Sequence, residues 1–233
     1  MPRLSSRLLV AAASLGLAAT LVYGSASAEN MVRAPAAIVT APSKARSEIA
    51  IFAGGCFWGV QGVFQHVKGV KSAVSGFTGG SSDTAHYERV SDGDTGHAES
   101  VRVVFDPSQV SYADLLRIYF SVITDPTQLN RQGPDTGPQY RSALFPTSEA
   151  QRKVAAAYLD QLRKANLWNK PIVTRIERAQ AFYPAEAYHQ DYLTLHPESG
   201  YIRYNDLPKV VALKQLYPQF WRERPVLVNA RRS

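Results

Sequence analysis

Strand-like and helix-like segments alternate along the chain in an irregular order, and this limits the possible folds more than any other feature of the sequence. Strands are predicted at Glu48–Ala53, Ser72–Thr78, Val101–Phe105, Ala143–Phe145 and Pro171–Glu177. Helices are predicted from Cys56 to about Lys68, from the capping-box-like pair Ser111 and Asp114 through Ile123, and from Ser148 onward. A repeating strand–helix–strand chain would alternate regularly, so the sequence predicts one α+β domain, a mixed sheet partly covered by helices.

A single cysteine, Cys56, excludes several kinds of protein. It has no partner for an internal disulfide and cannot form a cysteine-rich zinc site. The chain has 26 Lys and Arg against 19 Asp and Glu, a mild basic excess with no block of five or more basic residues. Binding to a nucleic acid is therefore not expected.

The first 28 residues have the pattern of a signal peptide. Arg3 and Arg7 precede an uncharged apolar run from Leu8 to Tyr23, and Ala26-Ser27-Ala28 supplies small residues for cleavage. An uncleaved anchor is the alternative, but the run is shorter than the ~20 apolar residues of a spanning helix. We expect cleavage and a protein exported to the periplasm or secreted. Residues 29–47 are then a linker, 48–220 the folded domain and 221–233 a tail.

The segment from Gly54 to Gly59 carries the clearest chemical signal. Two glycines allow a tight turn after a strand, and Cys56 follows at the first turn of a helix. Unpaired backbone N–H groups and the positive end of the helix dipole there favour the nucleophilic thiolate. The alternative is a small buried hydrophobic cysteine without reactivity.

The two aromatic residues after Cys56 face different sides of the predicted helix. Phe57 begins an apolar stripe with Val60, Phe64 and Val67, so it contributes at least partly to the core. Trp58 has Gln61, Gly62 and Gln65 as its neighbours on the helix surface. We therefore interpret Trp58 as the wall of an apolar pocket beside the thiol.

Glu99 and a polar loop are the remaining candidates. Glu99 alternates in phase with Val101, Val103 and Phe105, which places its carboxyl group on the apolar face of a strand. Burial would favour the protonated acid, which can donate a proton in catalysis, although a paired or solvated strand-end glutamate is the alternative. Residues 130–142 are polar and rich in turn formers, which is typical of an ordered loop that holds site residues.

Four motifs in order resemble the peptide methionine sulfoxide reductase A family. They are GCFWG at residues 55–59, TGHAE at 95–99, QYRS at 139–142 and YHQDYL at 188–193. The similarity extends over roughly Ile49 to Tyr204. It implies a two-layer α+β sandwich and an enzyme that reduces the S epimer of methionine sulfoxide, free or in proteins.

The resemblance also assigns roles to residues of this chain. It implies Cys56 as nucleophile, Glu99 as acid, Tyr87 and Tyr140 as phenol donors near the sulfoxide oxygen, Phe57 and Trp58 as the methyl pocket, and Asp135 as a substrate-orienting residue. It implies no metal and no bound cofactor. In this scheme Cys56 becomes a sulfenic acid, the first step of thiol oxidation.

The chain departs from the family pattern in the residues that would convert the Cys56 sulfenic acid back to the thiol. Many relatives carry a resolving cysteine, whereas this chain has none, and Ser91 stands where some have a further one. An external thiol must therefore regenerate Cys56, supplied by glutathione, a glutaredoxin-like protein or a thioredoxin-like protein. Thr136 and Pro138 also differ from the usual loop residues. The expected partners are this thiol and sulfoxide-containing substrates, for a monomeric enzyme.

Two other functions are compatible with the residues. His97, His189 or His196 could serve as the base of a cysteine hydrolase or acyltransferase. No spacing selects one of them, and structural roles for the histidines are the simpler interpretation. A non-catalytic module that binds methionine is the third possibility, if Cys56 is buried and inert.

Overall fold

The computed structural model describes residues 31–178 and 180–228 of the chain. The predicted signal peptide, residues 1–28, and the last five residues of the predicted tail lie outside the described residues. None of the helices in the described ranges is long and apolar enough to cross a lipid bilayer.

The elements occur as an irregular mixture of strands and helices. The strands are β1 (Glu48–Gly54), β2 (Val70–Thr78), β3 (Ala98–Phe105), β4 (Arg131–Gln132), β5 (Asp135–Thr136), β6 (Ser142–Phe145), β7 (Arg175–Ile176) and β8 (Phe182–Pro184). The α-helices are α1 (Phe57–Gln65), α2 (Tyr87–Ser91), α3 (Tyr112–Ile118), α4 (Glu149–Ala165), α5 (Tyr192–Leu195) and α6 (Leu207–Leu216). Short 3₁₀ turns lie at Ser82–Thr84, Pro138–Tyr140 and Ala187–His189, and π-helical turns at Tyr119–Ile123 and Ile202–Asp206.

Six of these strands form one mixed sheet in the order β7-β6-β1-β3-β2-β8. The pairs are antiparallel except for β6 and β7, which run parallel. Strands β4 and β5 form a separate short hairpin. The prediction of a mixed sheet in one α+β domain is confirmed.

The core lies between one face of the sheet and the helices. Ala50 and Phe52 of β1 belong to this main core, and the Phe52 ring centroid lies 4.8 Å from that of Phe64 on α1. The alternating residues Ile51 and Ala53 point to the other face, in a small cluster that contains no helix residue. Helices therefore cover the sheet on one side only.

Helix start signals in the sequence are confirmed where capping residues are present. The Asp114 N–H donates to Ser111 Oγ at 3.1 Å and the Ser111 N–H donates to Asp114 Oδ2 at 3.0 Å, which forms a capping box for α3. The helical path continues to Ile123 through the π-helical turn. Ser148 caps α4 by accepting the Gln151 N–H.

Two predicted boundaries are wrong, because tertiary hydrogen bonds replace the regular ones. Helix α1 ends at Gln65 instead of Lys68, since Val67 forms an isolated bridge with Trp221. The strand predicted at Pro171–Glu177 is reduced to Arg175–Ile176. Its Val173 N–H donates to the Pro126 carbonyl at 2.7 Å, outside the sheet.

The two segments that flank the domain pack on it without regular structure. In the predicted linker, Ala34 is fully buried, and its carbonyl accepts from Arg117 Nε at 2.9 Å. In the predicted tail, the Arg222 N–H donates to the His66 carbonyl at 2.7 Å. Both segments therefore contribute to the folded body.

Candidate active site

The turn from β1 into α1 places Cys56 at the edge of a cavity. Gly55 has a φ of +89°, and a Cβ atom there would approach Gln132 Cβ to 2.5 Å, so this position requires glycine. Cys56 is the N-cap of α1 rather than a residue of its first turn. It is 8% exposed and lines a cavity of about 490 Å³.

The surroundings of the Cys56 thiol favour its protonated form in the free protein. Burial raises the pKa of the thiol well above its ordinary value, and the charges of Glu99 and Asp206 raise it further. A hydrogen bond from the Trp58 backbone N–H acts in the opposite direction. The prediction that the helix start ionises Cys56 is therefore wrong for the free protein, because loss of hydration outweighs the single N–H group.

Glu99, on strand β3 of the sheet, also lies at the start of α1. It is 3% exposed, and its Oε2 accepts the Phe57 N–H at 2.9 Å. Burial raises the pKa of Glu99 to about 8, despite the opposing hydrogen bond from Phe57. Glu99 is therefore mainly a neutral acid at neutral pH, as its place on the apolar face of β3 predicts.

Trp58 belongs to an aromatic cluster beside this site. Its ring stacks on Tyr192 with centroids 3.8 Å apart and meets Tyr201 edge-on at 5.8 Å. Its Nε1 donates to His189 Nδ1 at 3.2 Å. Phe57, in contrast, is 1% exposed and packs within the core. Trp58 is thus the more accessible of the two aromatic residues.

The polar side of α1 is buried under the YHQDYL segment rather than exposed. Gln61 Nε2 donates to Gln190 Oε1 at 2.8 Å, and Gln65 Nε2 donates to Asp191 Oδ1 at 2.7 Å. Gln190 Nε2 in turn donates to the Ser75 carbonyl on β2. These hydrogen bonds satisfy the buried amides and hold the segment that carries Tyr192 against Trp58.

Asp135, on strand β5, also lines the cavity. Its Oδ2 accepts a short hydrogen bond from the Tyr201 hydroxyl. Burial raises the pKa of Asp135, and the bond from Tyr201 opposes this shift. Tyr201 also lines the cavity, and its ring contacts Trp58 edge-on. One phenol therefore contacts both Asp135 and Trp58.

Tyr87 and Tyr140 are partly buried and lie near Glu99 and Cys56. Burial raises the pKa of both phenols, and the charges of Glu99 and Cys56 contribute to each shift. The Tyr87 ring lies 4.4 Å from His189. Of the predicted site residues, Cys56 and Asp135 line this cavity, whereas Phe57, Trp58, Tyr87, Glu99 and Tyr140 do not.

Three residues of this site were not predicted from the sequence: Tyr192, Tyr201 and Asp206. Asp206 is fully buried, and Lys209 Nζ lies 3.4 Å from its Oδ1. A Cβ atom on Gly59 would collide with the Asp206 carboxylate, so the glycine at this position is the one sequence signal of the contact.

The histidines have polar partners other than Cys56. His189 accepts from Trp58, His97 contacts Gly80 and Ser81, and His196 lies 3.6 Å from Glu198. No imidazole is thus placed as a base for the thiol among the described residues, which disfavours a hydrolase. In the same residues, no group of three or more His, Cys, Asp or Glu side chains could hold a metal ion.

Comparison with known proteins gives a consistent assignment. A family model described as peptide methionine sulfoxide reductase matches residues 48–221. Peptide methionine sulfoxide reductase MsrA 2 of Mesorhizobium japonicum is 64% identical over 182 residues, which is 78% of this chain and 93% of that protein. A protein of the same name from Synechocystis sp. is 52% identical, with 73% and 80% covered.

Solved structures agree with the sequence relatives. The reduced form of Mxr1 from Saccharomyces cerevisiae has a TM-score of 0.62 at 31% identity and covers 72% of this chain and 96% of its own. Methionine sulfoxide reductase A of Corynebacterium diphtheriae has a TM-score of 0.56 at 32% identity, with 72% and 84% covered. The chain therefore belongs to the peptide methionine sulfoxide reductase family.

Proposed function

We propose that this protein reduces the S epimer of methionine sulfoxide, free or within proteins, with Cys56 as nucleophile and Glu99 as acid. One observation carries the proposal: a thiol at a cavity and a carboxylic acid whose pKa is about 8 both lie at the N-terminus of α1. The protein thereby repairs oxidised methionine.

The reductive step transfers one oxygen atom between two sulfur atoms. Cys56 Sγ bonds to the sulfoxide sulfur, neutral Glu99 protonates the sulfoxide oxygen, and the thiol proton of Cys56 passes to the Glu99 carboxylate. The protonated oxygen then moves from the substrate sulfur to Sγ as the bond between the two sulfur atoms breaks, which leaves methionine and a sulfenic acid on Cys56. Cys56 is oxidised by two electrons and the substrate sulfur is reduced by two.

The proposed site has aromatic residues for the methyl group of the sulfoxide and polar residues for its oxygen. Trp58 supplies an aromatic surface for the methyl group, with Phe57 behind it. Tyr87 and Tyr140 donate to the oxygen, and Asp135, held by Tyr201, orients the substrate. The exposed Thr136 and Pro138 flank this wall, where a peptide substrate would continue.

An external thiol completes the cycle, since the chain has one cysteine. The first thiol displaces water from the sulfenic acid and forms a mixed disulfide with Cys56. A second thiol attacks the sulfur of the first, which releases the Cys56 thiol and an external disulfide. A thioredoxin-like protein, a glutaredoxin-like protein or glutathione can supply these thiols, and the enzyme itself is a monomer without a bound cofactor.

Export is part of the proposal, and it rests on the sequence of residues 1–28. The protein then acts in the periplasm or outside the cell, where methionine is exposed to oxidants. Mass spectrometry of the protein from its native host would show an N-terminus at Glu29, and an intact Met1 would contradict cleavage.

The reaction can be tested with the purified protein and dithiothreitol. We expect conversion of the S but not the R epimer of a methionine sulfoxide substrate, and complete loss of activity in Cys56→Ser. Circular dichroism of Cys56→Ser controls for folding. Cleavage of a peptide or ester without sulfoxide turnover would instead support a hydrolase.

A further inference from the structure

Met31 lines the same cavity as Cys56. The chain contains two methionines, Met1 and Met31, and Met31 is the one within the described residues. Its side chain is partly buried, packs against the main core and contributes to the wall of the cavity that also contains Asp135. A methionine of the protein itself therefore lines the same cavity as the proposed nucleophile.

The backbone close to Met31 is held in place. The Ala34 N–H donates to Ser121 Oγ at 3.1 Å, and the Pro35 carbonyl accepts from the Tyr158 hydroxyl at 2.7 Å. Ser121 itself lines the cavity. Met31 is three residues from the Ala34 anchor, a distance that an extended chain spans in about 10 Å. Movement of residues 31–33 about this anchor therefore keeps the Met31 sulfur in the neighbourhood of the cavity.

Oxidation of Met31 changes how its side chain fits. The thioether is apolar and suits its present contacts with the core, whereas a sulfoxide is polar. The same cavity offers polar side chains that include Thr124, Gln128 and Asp135. The oxidised side chain thus fits its apolar contacts less well and gains possible hydrogen-bond partners among the polar residues of the same cavity.

We propose that Met31 sulfoxide is an intramolecular substrate of Cys56. The oxygen passes from the Met31 sulfur to Cys56 Sγ, Met31 returns to the thioether, and Cys56 becomes a sulfenic acid that an external thiol reduces. This inference rests on the proposed function. A short tether gives an effective concentration of the order of mM, so a micromolar solution of the protein repairs itself faster than it repairs a neighbouring copy.

The experiment follows Met31 in the full chain by mass spectrometry. Cys56 is blocked as a mixed disulfide with a small thiol, hydrogen peroxide converts Met31 to its sulfoxide, and dithiothreitol then frees Cys56 and starts the reaction. We expect the S epimer of Met31 sulfoxide to disappear with a first-order rate that is unchanged on dilution. Cys56→Ser should keep the sulfoxide.

A relocated methionine provides the matched control. Ile38 is 82% exposed and lies beyond the Ala34 anchor, so Met31→Leu combined with Ile38→Met moves the sulfur away from the cavity. At micromolar protein its sulfoxide should be reduced on the order of 10²-fold more slowly, at a rate proportional to protein concentration. Equal rates for the two positions, or a Met31 rate that scales with concentration, would overturn the inference.

A parallel assay separates this inference from the reductase activity. The same preparations are given free methionine sulfoxide. If free methionine sulfoxide is reduced while Met31 sulfoxide persists, only the intramolecular reaction is contradicted. If neither sulfoxide is reduced, the proposed reductase function is contradicted as well.

Discussion

Cys56 and Glu99 divide the N–H groups at the start of α1 between them. The Phe57 N–H is bonded to the Glu99 carboxyl, and the Trp58 N–H is bonded to the thiol. Each group receives one hydrogen bond, and each is buried strongly enough for its neutral form to dominate. In the free protein both groups are therefore mainly neutral, and Glu99 already carries the proton it donates before the substrate binds.

The acid role of Glu99 predicts a pH dependence at the level of one residue. Because the protonated form donates the proton and the pKa is raised to about 8, the single-turnover rate should be constant below pH 7 and fall as pH rises through 8. Rapid quenching of enzyme mixed with substrate, without a reductant, measures this rate.

Glu99→Gln is the control for this assignment. The amide keeps an acceptor for the Phe57 N–H but cannot donate an acidic proton, so we expect a loss of roughly 10²–10⁴ in rate and no fall near pH 8. A wild-type rate that rises through pH 8 would mean that ionisation of Cys56, rather than protonation of Glu99, controls the step.

At the scale of elements, the site depends on how the segment 188–193 packs on α1. Gln190 is at the centre of this contact: it accepts from Gln61 Nε2 and the Ser75 N–H, and donates to the Ser75 and Ala185 carbonyls. The same segment carries Tyr192, which stacks on Trp58. The position of Tyr192, and with it the packing of Trp58, thus depends on this amide network.

Gln190→Ala should weaken both the fold and substrate binding. Buried groups that lose their partners should lower the free energy of unfolding by roughly 1–3 kcal/mol, measured by denaturation in urea. The freed segment should also shift Tyr192 and raise KM. The exposed Gln219→Ala should change the stability by less than about 0.5 kcal/mol. A destabilised variant with an unchanged KM would show that this segment does not shape the site.

Local patterns in the sequence were sufficient for some of these elements but not for their long-range contacts. The alternation along β3 places Glu99 on the buried face, and Ser111 and Ser148 mark the helix starts, because these signals lie within a few residues of their effect. The pairing of Gln61 with Gln190 joins residues far apart in the chain, so α1 alone gives a polar side with no visible partner. The ionisation of Cys56 was mispredicted because burial depends on the whole fold.

For the whole molecule, the single cysteine sets the limit on turnover. Cys56 is a free cysteine, and the chain has no second thiol that could attack its sulfenic acid and release the oxygen as water. An external thiol must therefore reach the sulfenic acid, although Cys56 is nearly buried.

Without a reductant, we expect one methionine per enzyme and a sulfenic acid on Cys56. Quantitative analysis of the methionine formed, together with mass spectrometry after treatment with a sulfenic-acid probe, tests this stoichiometry. More than one methionine per chain would contradict it, and Cys56→Ser provides the blank.

The packing of residues 31–38 on the domain affects how the protein should be shortened. A fragment that begins at Glu48, where the first strand and the family match both start, loses the Ala34 backbone that satisfies Ser121 and Arg117. It also removes Met31 from the wall of the cavity. We expect such a shortened protein to keep its sheet but to have a site that is more open to solvent. Kinetic constants measured on it would therefore apply to a cavity whose entrance differs from that of the protein with residues 31–47.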